Sequence, residues 1–404
     1  MGYRFTRDDV AFLRSQSGSE ALECASSLAL SSATMLSDIA ELRGRWPSHH
    51  AALIETVLCR RRGKTKINAA ERMLFTDDAL QQATASPVAA HRAVEIATRH
   101  PGAVVHDVTC SIGAELRELT AQQHISGVIG SDVDDVRLAM ARHNTVLDSP
   151  PATLLVADAL TPTSTADVIM ADPGRRAGAG RVFRLDQLTP PLLDVLATYA
   201  TRPLAVKCAP GLDYQILWDR FGFTGQVQLT SLEGAVREAC LWTDRDGEPR
   251  RRATVLRTDP SGSVRSYEIT DADADDIGSG EVGEWILDPD GAVVRAGLVR
   301  HYARRHGLWQ LDPQIAYLTG GRIPSGERGF RVLAGSGVSE KELRRRLAAY
   351  DCGTLEILVR GLDVNPDQLR KRLKLKGSRA LAVILTRIGR RGVGFICEPG
   401  VRMP

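Results

Sequence analysis

DVTCSIGAELREL (107–119) is the stretch on which the fold turns. An acid closes the short apolar run AVVHDV (103–108), a turn of small residues containing Gly113 follows, and ELRELTAQQ (115–123) resumes at helical spacing. Such a turn lets backbone amides approach a ligand closely, and the helix N-terminus behind it favours a carboxylate. Asp107 can accept a hydrogen bond from a ligand ammonium. Taken alone, a strand-to-helix turn with one glycine is equally an α/β packing feature, and the next segments decide between the two.

Three further apolar runs end in the same way. GVIGSD (127–132) leads into DDVRLAMARHN (134–144) and places Asp132 about 25 residues after Asp107, where an acid can accept both hydroxyls of a ribose. TLLVAD (153–158) continues as VADAL and offers Asp158 to an adenine amino group. ADVIMAD (166–172) continues as ADPGRR (171–176), with Asp172 and Pro173 at the mouth of the crevice. Four acids thus reach the carboxyl edge of one sheet, where open α/β sheets bind ligands. PLAVKC (203–208), QVQLTS (226–231) and EACLWT (238–243) complete seven strands, while PLLDVLATY (191–199) and DYQILWDRF (213–221) supply helical faces. The predicted fold class is α/β: a Rossmann-like, seven-stranded, doubly wound sheet with an N-terminal helical region and a small C-terminal α+β domain.

Working outward, 404 residues allow two or three folding units. Residues 19–46, SEALECASSLALSSATMLSDIAELRGRW, carry apolar positions at helical spacing, and the basic knot CRRRGKTKI (59–67) follows. Acidic loops at DRDGEPRR (244–251) and TDADADDIGSGE (270–281) end the alternating pattern. Beyond them come short strands, ATVLRT (253–258) and VRSYEI (264–269), and an irregular stretch to about Pro324. A final αβ unit contains SEKELRRRLAAY (339–350), TLEILVR (354–360), NPDQLRKRLKLK (365–376), ALAVILTR (380–387) and GVGFICE (392–398). No apolar run approaches bilayer length, and the N-terminus lacks the unbroken apolar stretch of a signal peptide, so a cytoplasmic location is expected. Seven cysteines lie far apart, with no CxxC pair and no histidine at ligand spacing, so neither disulfides nor a metal are expected.

DVTCSIG, GSDVDD with its trailing ARHN, VADAL and ADPGRR together resemble motifs one to four of the class I S-adenosylmethionine-dependent methyltransferases, across residues 103 to 176. The later strands through EACLWT suit that family's closing antiparallel hairpin. The resemblance implies an enzyme using S-adenosyl-L-methionine, with Asp107 and the Cys110, Ser111, Gly113 turn on the methionine moiety. It puts Asp132 and Val133 on the ribose, Asp158 and Ala159 on the adenine, and Asp172 toward the acceptor. A nicotinamide dehydrogenase, the main competitor, needs GxGxxG at the first turn, and CSIGAEL does not supply it.

The flanks, residues 60–93 and LEILVRGLDVNPDQLRKRLKLKG (355–377), resemble a bacterial methyltransferase family with a C-terminal THUMP-like domain. THUMP domains proper bind RNA in tRNA-modifying enzymes, which implies a structured RNA substrate, a tRNA or rRNA base. In that family the segment from Phe75 to Thr84 lies over the cofactor, making Gln82 and Thr84 further candidates; an amphipathic helix docking on the N-terminal bundle explains the segment as well. The implied organisation is a helical region over 1–84, the methyltransferase domain over 85–250, a β-rich connection over 251–325 and the THUMP-like domain over 326–404.

Enzymes that methylate an exocyclic base amine commonly follow the fourth strand with an acid or amide, two prolines and an aromatic. Here Asp172 and Pro173 fit, but Gly174 and Arg175 replace the rest. The loop offers Arg175, Arg176, Arg181 and Arg184 around Phe183 instead, which suits phosphates and stacked bases; a solvated loop pairing with the sheet-edge acids is the alternative. The candidate acceptor-side residues are therefore Asp172, Pro173, Arg175 and Arg176, with Asp172 the one candidate base. Cys208 ends the fifth strand where carbon-5 pyrimidine methyltransferases place a nucleophile, although a buried packing cysteine is equally at home there. His106 and His143 read as packing or surface residues. In the tail, Lys371, Arg372, Lys374, Lys376 and Arg379, joined by Arg344, Arg345 and Arg346, can project from helices whose Leu369, Leu373 and Leu375 face inward, forming either a phosphate-tracking patch or a solvated face. Two other activities stay open from the sequence: a protein or small-molecule methyltransferase with the same cofactor site, and a non-catalytic RNA-binding protein.

Overall fold

Helical apolar spacing, with side-chain caps on the first, second and fifth helices, turns the chain ahead of the first strand into α1 (Arg7–Leu13), α2 (Gln16–Ser27), α3 (Met35–Arg45), α4 (His50–Gly63), α5 (Asp77–Gln82) and α6 (Ser86–Arg99). Thr6 and Asp9 close a capping box on α1, and the hydroxyls of Ser15 and Thr76 accept from the first-turn amides of α2 and α5. The computed structural model describes residues 2–147, 150–175, 188–245 and 247–403. The chain divides into two units, one of Met1–Leu232, Arg237–Glu248 and Thr258–Arg265, the other of Glu233–Val236, Pro249–Arg257 and Ser266–Pro404.

In the first unit, Leu42, Leu53, Met73 and Phe75 are buried in a core that also takes in Ile112 and Met140, so the N-terminal helices share their interior with the sheet domain. Asn144 fastens the two together. Its Oδ1 accepts from the Leu74 amide at 2.8 Å, and its Nδ2 donates to the carbonyls of Leu74 at 3.0 Å and Ile112 at 2.8 Å. The basic knot is spent on helix ends: Arg61 donates to the carbonyls of Ser26, Leu28 and Ala29 beyond α2. Lys66 Nζ donates to those of Leu80 and Gln81 in α5, both at 2.8 Å. These are carbonyls that a helix leaves unpaired at its C-terminus.

The sheet strands are β1 (Ala103–Asp107), β2 (Ile125–Asp132), β3 (Thr153–Val156), β4 (Val168–Ala171), β5 (Leu204–Cys208), β6 (Gln226–Leu232) and β7 (Ala235–Trp242), with α7 (Ala114–Thr120), α8 (Asp135–Asn144), α9 (Leu192–Thr198) and α10 (Gln215–Phe221) between them. Their order is β3-β2-β1-β4-β5-β7-β6. Pairings from β3 through β5 are parallel, and β7 is antiparallel to β5. Two residues, Glu233 and Gly234, both at positive φ, make the turn between β6 and β7, the conformation that two-residue hairpins favour. The sheet path goes on through β8 (Arg251–Thr258) and β9 (Val264–Thr270), so the sheet has nine strands rather than the seven expected; ATVLRT and VRSYEI alternate too weakly to reveal their partner.

The second unit continues with β10 (Trp285–Leu287), α11 (Gly291–Arg295), α12 (Val299–His306), β11 (Trp309–Gln310), β12 (Leu318–Gly320), β13 (Arg328–Ser336), α13 (Glu340–Ala349), β14 (Cys352–Val359), α14 (Pro366–Leu373), β15 (Arg379–Ile388) and β16 (Arg391–Cys397). The sheet order is β11-β12-β10-β13-β16-β15-β14. Leu343, Leu347, Leu369 and Leu373 seat α13 and α14 on Leu355, Leu381 and Val383. Strand β13 escaped the sequence reading because Gly329 and Gly335 interrupt its pattern, and the region expected to be irregular contains α11 and α12. No described helix is long and apolar enough to cross a membrane.

Candidate active site

A cleft of about 490 Å³ opens at the carboxyl ends of β1 to β5 in the first unit, a volume in the range that small-molecule ligands occupy. Its floor is the turn after β1. The Cys110 amide donates to the Ser131 carbonyl at 2.9 Å and the Gly113 amide to the Cys110 carbonyl at 2.8 Å. Ser111 and Gly113 both sit at positive φ, +50° and +77°. A Cβ on Gly113 would also meet Ala141 and Thr145 of the α8 region at 3.2 Å, so glycine is needed for approach as well as for φ.

Asp107, Cys110, Ser111, Asp132, Val133, Asp158 and Ala159 all line this cleft, and Gln82 and Thr84 line it from the end of α5. Gly113 lies behind the turn rather than on the cleft wall. Asp132 is oriented by its own backbone surroundings: Oδ2 accepts from the Ser111 amide and Oδ1 from the Asp134 amide, both at 2.9 Å. Asp158 Oδ1 accepts from the Leu160 amide at 2.8 Å, and the Ala159 carbonyl accepts from the Tyr199 hydroxyl at 2.8 Å. Asp107 is buried, and burial pushes its carboxyl up to about 7 even though the Thr109 amide donates to it at 3.0 Å.

Asp172 lines the cleft with its side chain 37% exposed, and its amide donates to Thr109 Oγ1 at 2.6 Å. Pro173 is buried beside it and is not among the lining residues. Gly174 and Arg175 pair by backbone with Thr189 and Leu188. Arg176, Arg181, Phe183 and Arg184 lie outside the described residues.

The sequence reading missed a buried chain of charges behind Asp172. Lys207, at the end of β5, is 5% exposed, and its Nζ lies 2.6 Å from Asp172 Oδ2 and 3.0 Å from Glu115 Oε1. Arg92 of α6 donates to Glu115 at 3.1 Å and also to Glu238 of β7, which accepts from Thr84 Oγ1 at 3.4 Å. Burial alone would lower the Lys207 pKa, yet the Asp172 and Glu115 carboxylates hold it raised. Burial likewise opposes ionisation of Glu115, but Arg92 and Lys207 bring it down to about 2. Lys207 was visible in sequence only as a neighbour of Cys208. Burial pushes the Cys208 thiol well above its ordinary value, which disfavours a thiolate there. His106 bridges the hydroxyls of Ser131 and Ser164 at 2.9 and 2.8 Å, and burial lowers its pKa to about 4; His143 faces the Arg72 carbonyl at 2.9 Å. Both are structural.

In the second unit, Arg344 is committed to the end of α14, donating to the carbonyls of Leu373 and Arg372, and Arg372 pairs with Glu340 at 3.0 Å. These two form part of the packing between α13 and α14. Arg345, Lys371, Lys374 and Lys376 are exposed on those helices and the turn after α14.

The strand order, the acid-tipped edge and the cleft define a nucleoside-cofactor enzyme of the methyltransferase type. Two relatives from Mycobacterium tuberculosis, strains CDC 1551 / Oshkosh and ATCC 25618 / H37Rv, are described as uncharacterized S-adenosylmethionine-dependent methyltransferases. Each is 48% identical over 373 residues, spanning 89% of this chain and 99% of its own. The chain belongs to the S-adenosylmethionine-dependent methyltransferases: it is an enzyme, and S-adenosylmethionine is its cofactor. Residues 327–399 match the family described as THUMP domain-like, and residues 6–63 match a domain of unknown function. A crystal structure of a protein described as a methyltransferase from Porphyromonas gingivalis W83 shares the fold at 19% identity, with a TM-score of 0.70 over 87% of this chain and 91% of that one.

Proposed function

We propose that this methyltransferase acts on RNA. The observation that carries the reading is the set of exposed cations, Arg345, Lys371, Lys374 and Lys376, on a domain that matches the THUMP domain-like family between residues 327 and 399. Cations exposed on two helices and the turn after them, over a packed leucine core, suit contact with a phosphate backbone.

The cleft suits the cofactor by its chemistry. Asp107 accepts the methionine ammonium, and the turn through Cys110 and Ser111, held in shape by Gly113, forms the floor on which the methionine moiety rests. Asp132, already fixed by two amides, accepts the ribose hydroxyls beside Val133. Asp158 and Ala159 take the adenine, while Gln82 and Thr84 cover the ligand from the α5 side. When bound, the cofactor supplies an electrophilic methyl group on a sulfonium. The remaining task for the protein is positioning, with Asp172 on the acceptor side and the arginines after Pro173 steering an anionic substrate toward it. A cytoplasmic location accords with seven unpaired cysteines.

The test supplies cofactor labelled in the methyl group to the full-length protein together with total cellular RNA, protein or metabolites. Label in RNA is expected, with filter binding that weakens as salt rises. Label in protein or in a metabolite alone would overturn the RNA reading and leave the methyltransferase.

A further inference from the structure

We propose that Lys207 and Asp172 receive a hydroxyl, so that the acceptor atom is a ribose oxygen of the RNA and not an exocyclic amine of a base. The inference rests on the RNA reading above and narrows it, departing from the base acceptor that the THUMP resemblance implies.

Two groups of opposite kind stand together on the acceptor side of the cleft. The Lys207 ammonium touches Asp172 at 2.6 Å, and Asp172 keeps part of its side chain open to the cleft. Lys207 cannot turn away, because Glu115 holds it at 3.0 Å and Arg92 holds Glu115 at 3.1 Å. A hydroxyl matches the pair at both ends, donating its proton to the carboxylate while its oxygen accepts from the ammonium.

The developing charge makes the same choice. An amine nitrogen becomes positive as it takes a methyl group, so a buried ammonium beside it raises the barrier. A hydroxyl oxygen gains negative charge as its proton leaves, and the same ammonium lowers the barrier. In the step, the oxygen lone pair forms the new bond to the methyl carbon while the carbon–sulfur bond breaks with its electrons going to sulfur. The hydroxyl proton passes to the Asp172 carboxylate and on to water, which balances charge. Once Asp172 is protonated, Glu115 alone balances the Lys207 ammonium, which is then freer to donate to the oxygen. The sequence after Asp172 agrees, since Gly174 and Arg175 stand where an amine-methylating enzyme would carry a second proline and an aromatic to stack an extruded base. A carbon acceptor would need a thiolate, and Cys208 is buried with its thiol pushed up.

The wild-type protein settles the acceptor. RNA labelled by the full-length enzyme is hydrolysed in alkali, which cleaves only beside a free 2′-hydroxyl. Label in alkali-resistant dinucleotides is the expected result. Label in mononucleotides overturns the oxygen assignment but keeps the RNA reading; absence of label from RNA, with label in protein or metabolite, overturns both. Lys207→Met is expected to lower kcat by about 10²-fold or more, with cofactor affinity by calorimetry within about threefold of wild type and partial recovery in Lys207→Arg. An equal loss of cofactor affinity would make Lys207 a cofactor ligand and refute its acceptor role. Should Lys207→Met fail to fold, the alkali result stands alone.

Discussion

Changing Asp107 to asparagine tests the cofactor site through two readouts that move in opposite directions. The Asp107 carboxyl is buried, and burial raises it to about 7 from an ordinary 3.8. Keeping it ionised at pH 8 without ligand therefore costs about 4 kcal/mol relative to an exposed aspartate. The sign follows from proton counting: between pH 3.8 and 7 the folded chain holds a proton that the unfolded chain has lost, so stability falls as pH rises and levels off above 7. A ligand ammonium reverses that penalty because it favours the charged form. Cofactor affinity should then climb about 15-fold between pH 5.5 and 7 and decline again above about pH 8, where the ligand's own α-amino group loses its proton. Asp107→Asn should melt several degrees higher than wild type at pH 8 without ligand, yet bind the cofactor at least tenfold more weakly and without the acid-side climb. Isothermal calorimetry across pH and a thermal melt measure both. A wild-type affinity that stays flat from pH 5.5 to 7, or an Asp107→Asn variant that binds normally, would refute the role of Asp107.

Asn144→Ala removes three buried hydrogen bonds and should cost about 2 to 4 kcal/mol in urea unfolding, whereas substitutions at the exposed Arg142 should cost little. Arg92→Met leaves Glu115 and Glu238 buried without their guanidinium; a loss of about 3 to 5 kcal/mol at pH 7 is expected. That loss should shrink in acid, because Glu115 without Arg92 no longer titrates near 2. Cys208→Ser should keep methylation within about twofold of wild type, since a buried, protonated thiol has no covalent role. Each of Lys371→Ala, Lys374→Ala and Lys376→Ala should lower the slope of log affinity against log salt for RNA by about one, with the melting temperature unchanged.

The strand-end acids that line the cleft were legible because each part is local: an acid at a strand's end, a small-residue turn, a helix behind it. Asp107, Asp132 and Asp158 could be named without knowing which strands were neighbours, and they meet in one cleft. The buried charges behind Asp172 were not legible, because Arg92, Glu115, Lys207 and Glu238 come from α6, α7, β5 and β7 and meet only through the order β1-β4-β5-β7. No spacing rule joins position 92 to position 238. The tail was readable as helices with leucines inward, but the duty of Arg344 at the end of α14 needs the packing of α13 against α14, which β14 separates in sequence, to be seen. Glycines hid β13, and weak alternation hid the partners of β8 and β9.

The sequence places a boundary at residue 84, and the structure shows what that line would cut. Thr84 hangs from Glu238, Lys66 pins the end of α5, and Asn144 grips the chain at Leu74, so the chain up to residue 84 is tied to the sheet and its last residues, Ala79 and Gln82 to Thr84, form one wall of the cleft. Cutting the chain at that line would remove a wall of the cleft together with the contacts that hold it, so the segment and the sheet domain work as one piece.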